Sequence, residues 1–178
     1  MRLAPTSRNQ PQLQEPNHNP RVGGSSPSSG IRSGLGRDTA RAMSQENVEI
    51  VRRIVRAFDE RDTATAVEPL DPRIELDATR SPAEDVRGSY KGLEGVAEFW
   101  RRWLSAWRTV EVGEPELFDG GDKILGWFEG QRNVGRRSRV EVANPPFGWL
   151  YTFQGDKIVR VTLYMGKAEA LEAAGLSE

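Results

Sequence analysis

The sequence has no cysteine and a single histidine, His18. Without thiols there is neither a disulfide framework nor a thiolate metal site. With the only imidazole near the N-terminus, the rest of the chain lacks the usual general base near neutral pH. It equally lacks the usual zinc or haem ligand and every Ser-His or Cys-His nucleophile. Long apolar runs are missing too: no stretch approaches the roughly 18 residues that a membrane helix needs. Gly34-Leu35-Gly36 is no dinucleotide fingerprint, because no strand precedes it, and no phosphate loop is present. The expectation is therefore a cytoplasmic protein with no metal, no cofactor and no membrane partner.

Large apolar residues are also nearly absent from residues 1–42. That segment holds five prolines, a Gly-Gly-Ser-Ser-Pro-Ser-Ser-Gly run, six arginines and only two acids, a net of +4, whereas the whole chain carries −1. Ordering it would cost about 1–2 kcal/mol per residue in backbone entropy with little apolar surface to offset the loss, so a disordered tail is expected. Met43-Ser44-Gln45-Glu46-Asn47 reads as a natural chain start. On that reading residues 1–42 are an upstream extension of the reading frame and residues 43–178 form one domain.

What the chain does have is tryptophan, concentrated between Gly88 and Trp107. Val96, Phe99, Trp100, Trp103, Leu104 and Trp107 follow the spacing of one face of an amphipathic helix, with Glu98, Arg101 and Arg102 opposite. Three indoles on one stripe demand a cover. Upstream, Ser44 is expected to cap a first helix that buries Val48, Val51, Ile54, Val55 and Phe58 and runs to about Asp59. Asp62 caps a short second helix from Thr63 to about Leu70, and residues 73–77 form a strand.

From Thr109 the period changes to two. Strands are expected over 109–118, 123–134, 139–153 and 157–165, with Asn144-Pro145-Pro146 bending the third because proline cannot donate to a ladder. A short helix, 167–176, closes the chain. With Gly155-Asp156 as a two-residue turn, counting outward pairs Phe153 with Ile158, Tyr151 with Arg160, Trp149 with Thr162 and Phe147 with Tyr164. That face mixes aromatic walls with a few polar groups, as ligand cavities do. The opposite face, with Leu150, Val159, Val161 and Leu163, is expected to pack against another sheet, such as that of a second subunit.

The order helix, short helix, strand, long helix and four curved strands resembles the SnoaL-like polyketide cyclase family of the nuclear transport factor 2-like superfamily. The matching stretches are Ser44 to Glu49, the Asp62 turn, Leu70-Asp71-Pro72, Gly88 to Gly95, the Asp119-Gly-Gly-Asp122 turn, Gly155 to Arg160 and Ala170 to Leu176, so the resemblance runs from Met43 to the C-terminus. It implies an α+β cone, three N-terminal helices packed on a curved antiparallel sheet with a short C-terminal helix, and a homodimer. It also implies either a cofactor-free isomerase or cyclase acting on a hydrophobic small molecule, or a non-catalytic binder or dimeric interaction subunit on the same fold.

By resemblance to ketosteroid isomerases of that superfamily, Asp77 is the candidate base for proton transfer next to a carbonyl, a role that requires burial to raise its pKa. The alternative is a loop or capping aspartate. Tyr90 and Tyr164 are the candidate donors, with Tyr151, Trp103 and Trp149 as further phenol or indole donors, and Phe99, Trp100, Trp103, Trp127, Phe147, Trp149, Tyr151 and Thr162 are candidate ligand contacts. Many SnoaL-like members carry a histidine where this chain has Trp149, which suits stacking on a ring better than accepting a proton. Glu129 is a candidate second carboxylate if it faces inward with Trp127 and a solvated side chain if it faces outward, the orientation favoured. Arg139-Val140-Glu141 resembles the Arg-x-Asp of epoxide hydrolases on this fold only faintly. Arg132, Arg136, Arg137 and Arg139 cluster near a turn, but the net −5 left for the folded part argues against nucleic acid.

Overall fold

Three long alternating segments in the second half of the chain are each interrupted by glycine or proline, and these breaks shape the molecule. The computed structural model describes residues 32–176, with side chains from residue 41 onward. Its elements are α1 (Arg32–Asp59), α2 (Thr63–Val67), β1 (Leu70–Asp77), a 3-10 turn (Glu84–Val86), β2 (Ser89–Lys91) and α3 (Gly92–Ala106). There follow β3 (Trp107–Val112), β4 (Glu116–Asp119), β5 (Lys123–Phe128), β6 (Gln131–Gly135), β7 (Glu141–Asn144), β8 (Phe147–Gln154), β9 (Lys157–Tyr164) and α4 (Lys167–Ala173). Pro145-Pro146 splits β7 from β8 as expected, but Gly113-Glu114-Pro115 and Glu129-Gly130 split the other two segments as well. One wall thereby becomes two sheets, a six-stranded one in the order β2-β1-β9-β8-β5-β4 and a three-stranded one in the order β3-β6-β7.

The expected α+β architecture is present, and the core sits between the helices and one face of the larger sheet. Ile50, Val51 and Ile54 of α1 and Val96 and Phe99 of α3 pack with Ile74, Leu76, Ile124, Tyr151, Phe153, Ile158 and Val161. α1 begins well upstream of Ser44, so that residue does not cap it. The Ser44 hydroxyl instead donates to the Asp119 carboxylate, and the buried Asn47 amide donates to the Gly121 carbonyl at 3.3 Å, fastening the helix to the β4–β5 turn. The expected disorder of residues 1–31 lies outside the described residues, while 32–42 are helical. Asp62 does cap α2, accepting from the Thr65 N–H at 3.1 Å.

α3 ends one residue before the third tryptophan of its stripe. Trp107 takes an extended conformation, φ −113° and ψ 140°, and starts β3, its ring 5.6 Å from that of Trp103. The Arg136 guanidinium donates to the carbonyls of Ser105 (3.1 Å), Trp107 (3.2 Å) and Leu104 (3.4 Å), satisfying and charge-complementing the last turn of the helix. That is a structural task for one member of the arginine cluster.

The β8–β9 hairpin departs from simple counting. Phe153 pairs with Ile158, but Thr152 pairs with Arg160, Tyr151 with Val161, Leu150 with Thr162 and Trp149 with Leu163. Val159 is the extra residue of a bulge, and past it every β9 side chain changes face. Val161 and Leu163 therefore point to the helices, and Thr162 and Tyr164 point away.

On the outer face α4 covers a second core made of Leu125, Trp127, Leu150, Tyr164, Ala170, Leu171 and Ala174. A Cβ at Gly148 would stand 2.7 Å from the Trp127 ring, so that indole lies across the glycine. Among the described residues no helix is long and apolar enough to cross a membrane.

Candidate functional site

Between α1, α3 and the inner face of the sheets lies a cavity of about 320 Å³. Its walls are Ile54, Val55 and Phe58 from α1; Val96, Phe99, Trp100 and Trp103 from α3; Ile74 and Leu76 from β1; and Phe147, Trp149, Tyr151, Val161 and Leu163 from β8 and β9. Trp107, Val112, Phe128, Gln131, Asn144 and Pro145 close the end where the two sheets meet, and Ser81, Pro82, Ala83 and Met165 also border it. Among the described residues no charged side chain is in this lining.

The aromatic groups hold one another in tilted, edge-on and stacked contacts. The Phe58 and Trp100 rings lie 4.5 Å apart, Phe99 meets Trp100 at 4.9 Å and Trp149 at 5.9 Å, and Phe128 stacks on Phe147 at 4.9 Å. Such pairs favour offset or edge geometries and fix the ring planes that a ligand would meet. Trp149 and Trp103 are half-buried, so their indoles keep free surface toward the hollow.

Of the residues expected from sequence to contact a ligand, Phe99, Trp100, Trp103, Phe147, Trp149 and Tyr151 line the cavity. Trp127 and Thr162 do not. Trp127 pairs with Gly148, the neighbour of Phe147 and Trp149, and so shares the opposite face. Thr162 is turned outward by the Val159 bulge. Tyr164, expected as a donor, is turned outward for the same reason, and its ring carries the Arg80 guanidinium 4.6 Å from the centroid. The Tyr90 hydroxyl is already committed, donating to the Val86 carbonyl at 3.0 Å, and its ring packs edge-on to Phe99 outside the cavity lining.

Asp77 is the largest correction. Along β1 the inward residues are Ile74, Leu76 and Ala78, so Asp77 alternates to the outer face, beside Ser89 and Thr162. Its Oδ1 accepts from the Thr79 N–H at 3.0 Å and from the Thr79 hydroxyl at 2.6 Å. Partial burial pushes its carboxyl up, but those two hydrogen bonds and the cations Arg80 and Arg160 outweigh it and hold the pKa below the usual range. The requirement for a general base, an elevated pKa inside the cavity, is met in neither respect. Glu129 is exposed at the β5–β6 break, 3.9 Å from Lys167. Arg139 occupies a turn with φ +58° and Glu141 is exposed, so the two form no site.

The residues that sequence reasoning missed cluster at the junction of the sheets. Gln131 follows the Gly130 break and pairs with Asn144, which precedes the diproline. Four buried polar atoms without partners, Trp107 Nε1, Asn133 Nδ2 and Oδ1 and Asn144 Nδ2, belong to the three strands of the small sheet. Each enclosed unpaired group costs about 1–3 kcal/mol. Of these, Trp107 and Asn144 border the cavity. Tyr151 and Gln131 are buried residues that border it too, and neither side chain makes a hydrogen bond among the described residues. Burial pushes the Tyr151 phenol well up, so it stays protonated and serves as a donor. Among the described residues no group of three or more histidine, cysteine, aspartate or glutamate side chains stands close enough to hold a metal ion.

Comparison with known proteins bears on the fold. The family model of the SnoaL-like domain matches residues 51–161. No curated protein matches the chain. An NTF2-like protein of unknown function from Burkholderia pseudomallei superimposes with a TM-score of 0.60 at 19% identity, over 71% of this chain and 95% of that one. TerC, co-crystallized with polyporic acid, gives 0.58 at 15% identity over 73% and 98%. A protein with a ketosteroid isomerase-like fold from Catenulispora acidiphila, in complex with trimethylamine, gives 0.55 at 16% identity over 72% and 93%.

Proposed function

As the chain belongs to the SnoaL-like domain family, we propose that it binds a hydrophobic, ring-containing small molecule in its aromatic cavity. The observation that carries this reading is a hollow of about 320 Å³ walled by indole and phenyl rings with no charged group in its lining. That volume falls within the roughly 300–1,000 Å³ of small-molecule sites. A similar fold accommodates an organic ligand in TerC with polyporic acid. Binding is favoured over isomerisation or cyclisation because the cavity lining contains no carboxylate or imidazole to move a proton, and Asp77 lies on the other face.

Tryptophan emission tests the reading directly. Titration with naphthalene, biphenyl and fluorene should give saturable changes, and Trp149→Ala should weaken the strongest of them at least about tenfold by removing a stacking wall. If none of the three perturbs the emission, the cavity is not a ligand site.

The part of the outer sheet face beyond α4, a groove bordered by Arg73, Glu75, Thr152, Val159, Arg160 and Thr162, is the surface we propose for pairing with a second copy. Its mixture of apolar and oppositely charged groups is suited to a self-complementary contact. Sedimentation velocity of the wild type and of Val159→Asp should show a dimer that the substitution dissociates, and a monomeric wild type rejects it.

A further inference from the structure

We propose that the ligand is elongated and neutral, with a hydrogen-bonding oxygen near each end, one met by Tyr151 and the other by Gln131. This rests on the cavity being a ligand site. Tyr151 is 7% exposed and Gln131 8%, both side chains border the hollow, and neither makes a hydrogen bond among the described residues. Polar side chains this enclosed normally find a partner, so two that bond to nothing in the protein and border a space large enough for a ligand mark where its polar atoms belong.

The two groups are far apart. Tyr151 lies four residues along β8 from Phe147, which pairs with Phe128, and Gln131 lies beyond Phe128 past the Gly130 bend. At roughly 3.3 Å per residue the stretch of β8 from Tyr151 to Phe147 alone spans on the order of 13 Å. Phe147, Phe128 and Trp149 fill that interval with ring surface. The protonated phenol calls for an acceptor, and the Gln131 amide accepts a donor or an acceptor. With no cation in the lining, a carboxylate would be stripped of water without compensation, so the molecule is neutral.

A graded set of probes tests this in the unaltered protein: biphenyl, 4-hydroxybiphenyl, 4,4′-dihydroxybiphenyl and biphenyl-4-carboxylate, followed by tryptophan emission. In a purely apolar hollow each hydroxyl would weaken binding, since it must leave water. The expectation is the reverse. Affinity should hold or rise with each hydroxyl, and the carboxylate should bind at least about tenfold more weakly than the diol. Tyr151→Phe and Gln131→Leu should each lower the diol affinity about three- to tenfold. The loss is read as the ratio of diol to biphenyl affinity within each variant, so that a change in the shape of the wall cancels.

Weakening with each hydroxyl in the wild type overturns the proposal while leaving the cavity a ligand site, and so does a diol preference that survives both substitutions. Failure of all four probes to bind removes the cavity reading itself.

Discussion

The six-stranded sheet has two faces built to different ends. The outer face is closed where α4 lies on it: Trp127 is 4% exposed, crosses Gly148 and joins Leu125, Leu150 and Leu171 in a packed layer. The inner face also carries indoles, but Trp100, Trp103 and Trp149 are only half-buried and leave a hollow between them. The same residue type thus closes a core on one side and walls a cavity on the other. Burial completeness, rather than aromatic content, distinguishes a core from a site.

The sharpest way to break this comparison is Trp127→Ala. It should cost about 3–5 kcal/mol in urea unfolding, as a large aromatic lost from a closed core does, while the folded fraction binds biphenyl as before. If ligand affinity falls with stability, the two faces are not independent. Gly148→Ala comes next: its methyl group would meet the Trp127 ring at 2.7 Å, and overpacking of this kind costs about 1–3 kcal/mol, read as a lower thermal midpoint.

Asn133→Leu should act in the opposite direction. Asn133 is 0% exposed with both amide atoms unpaired, so an apolar side chain of similar size should add about 1 kcal/mol, and unchanged or lower stability would mean that a buried water serves the amide.

The smallest effect belongs to Asp77→Asn. A carboxyl whose folded pKa is depressed contributes stability above its ordinary unfolded value, and that contribution is lost as pH falls through the lower folded value. The variant should therefore unfold with a shallower acid dependence below about pH 4. The effect should be a few tenths of a kcal/mol near neutrality because the group is partly solvated. Ligand affinity should not move, and a loss of affinity would restore Asp77 to the site.

Much of the architecture was legible because it rests on periods within single elements. The α3 stripe put Phe99, Trp100 and Trp103 on the face that lines the cavity, and alternation along β8 alone placed Phe147, Trp149 and Tyr151 on one face. What failed depended on events between elements. Trp107 left its stripe because the helix stops at Ala106 and hands over directly to β3. Breaks at Gly113 to Pro115 and at Gly130 were missed where Pro145-Pro146 was not, since one glycine or proline is compatible with a strand and two adjacent prolines are not. Gln131 escaped notice for the same reason. The β9 faces were inverted by a bulge at Val159, a residue that an ordinary strand accommodates equally well.

That bulge sets a rule for how this chain can change. Substitution at Val159 alters one side chain, but deletion of it would turn Arg160, Thr162 and Tyr164 toward the helices and send Val161 and Leu163 out to the face beneath α4. A guanidinium would then stand against indoles, and the lining would acquire a charge in a single step. In this strand residue count, more than residue identity, is what the hollow depends on.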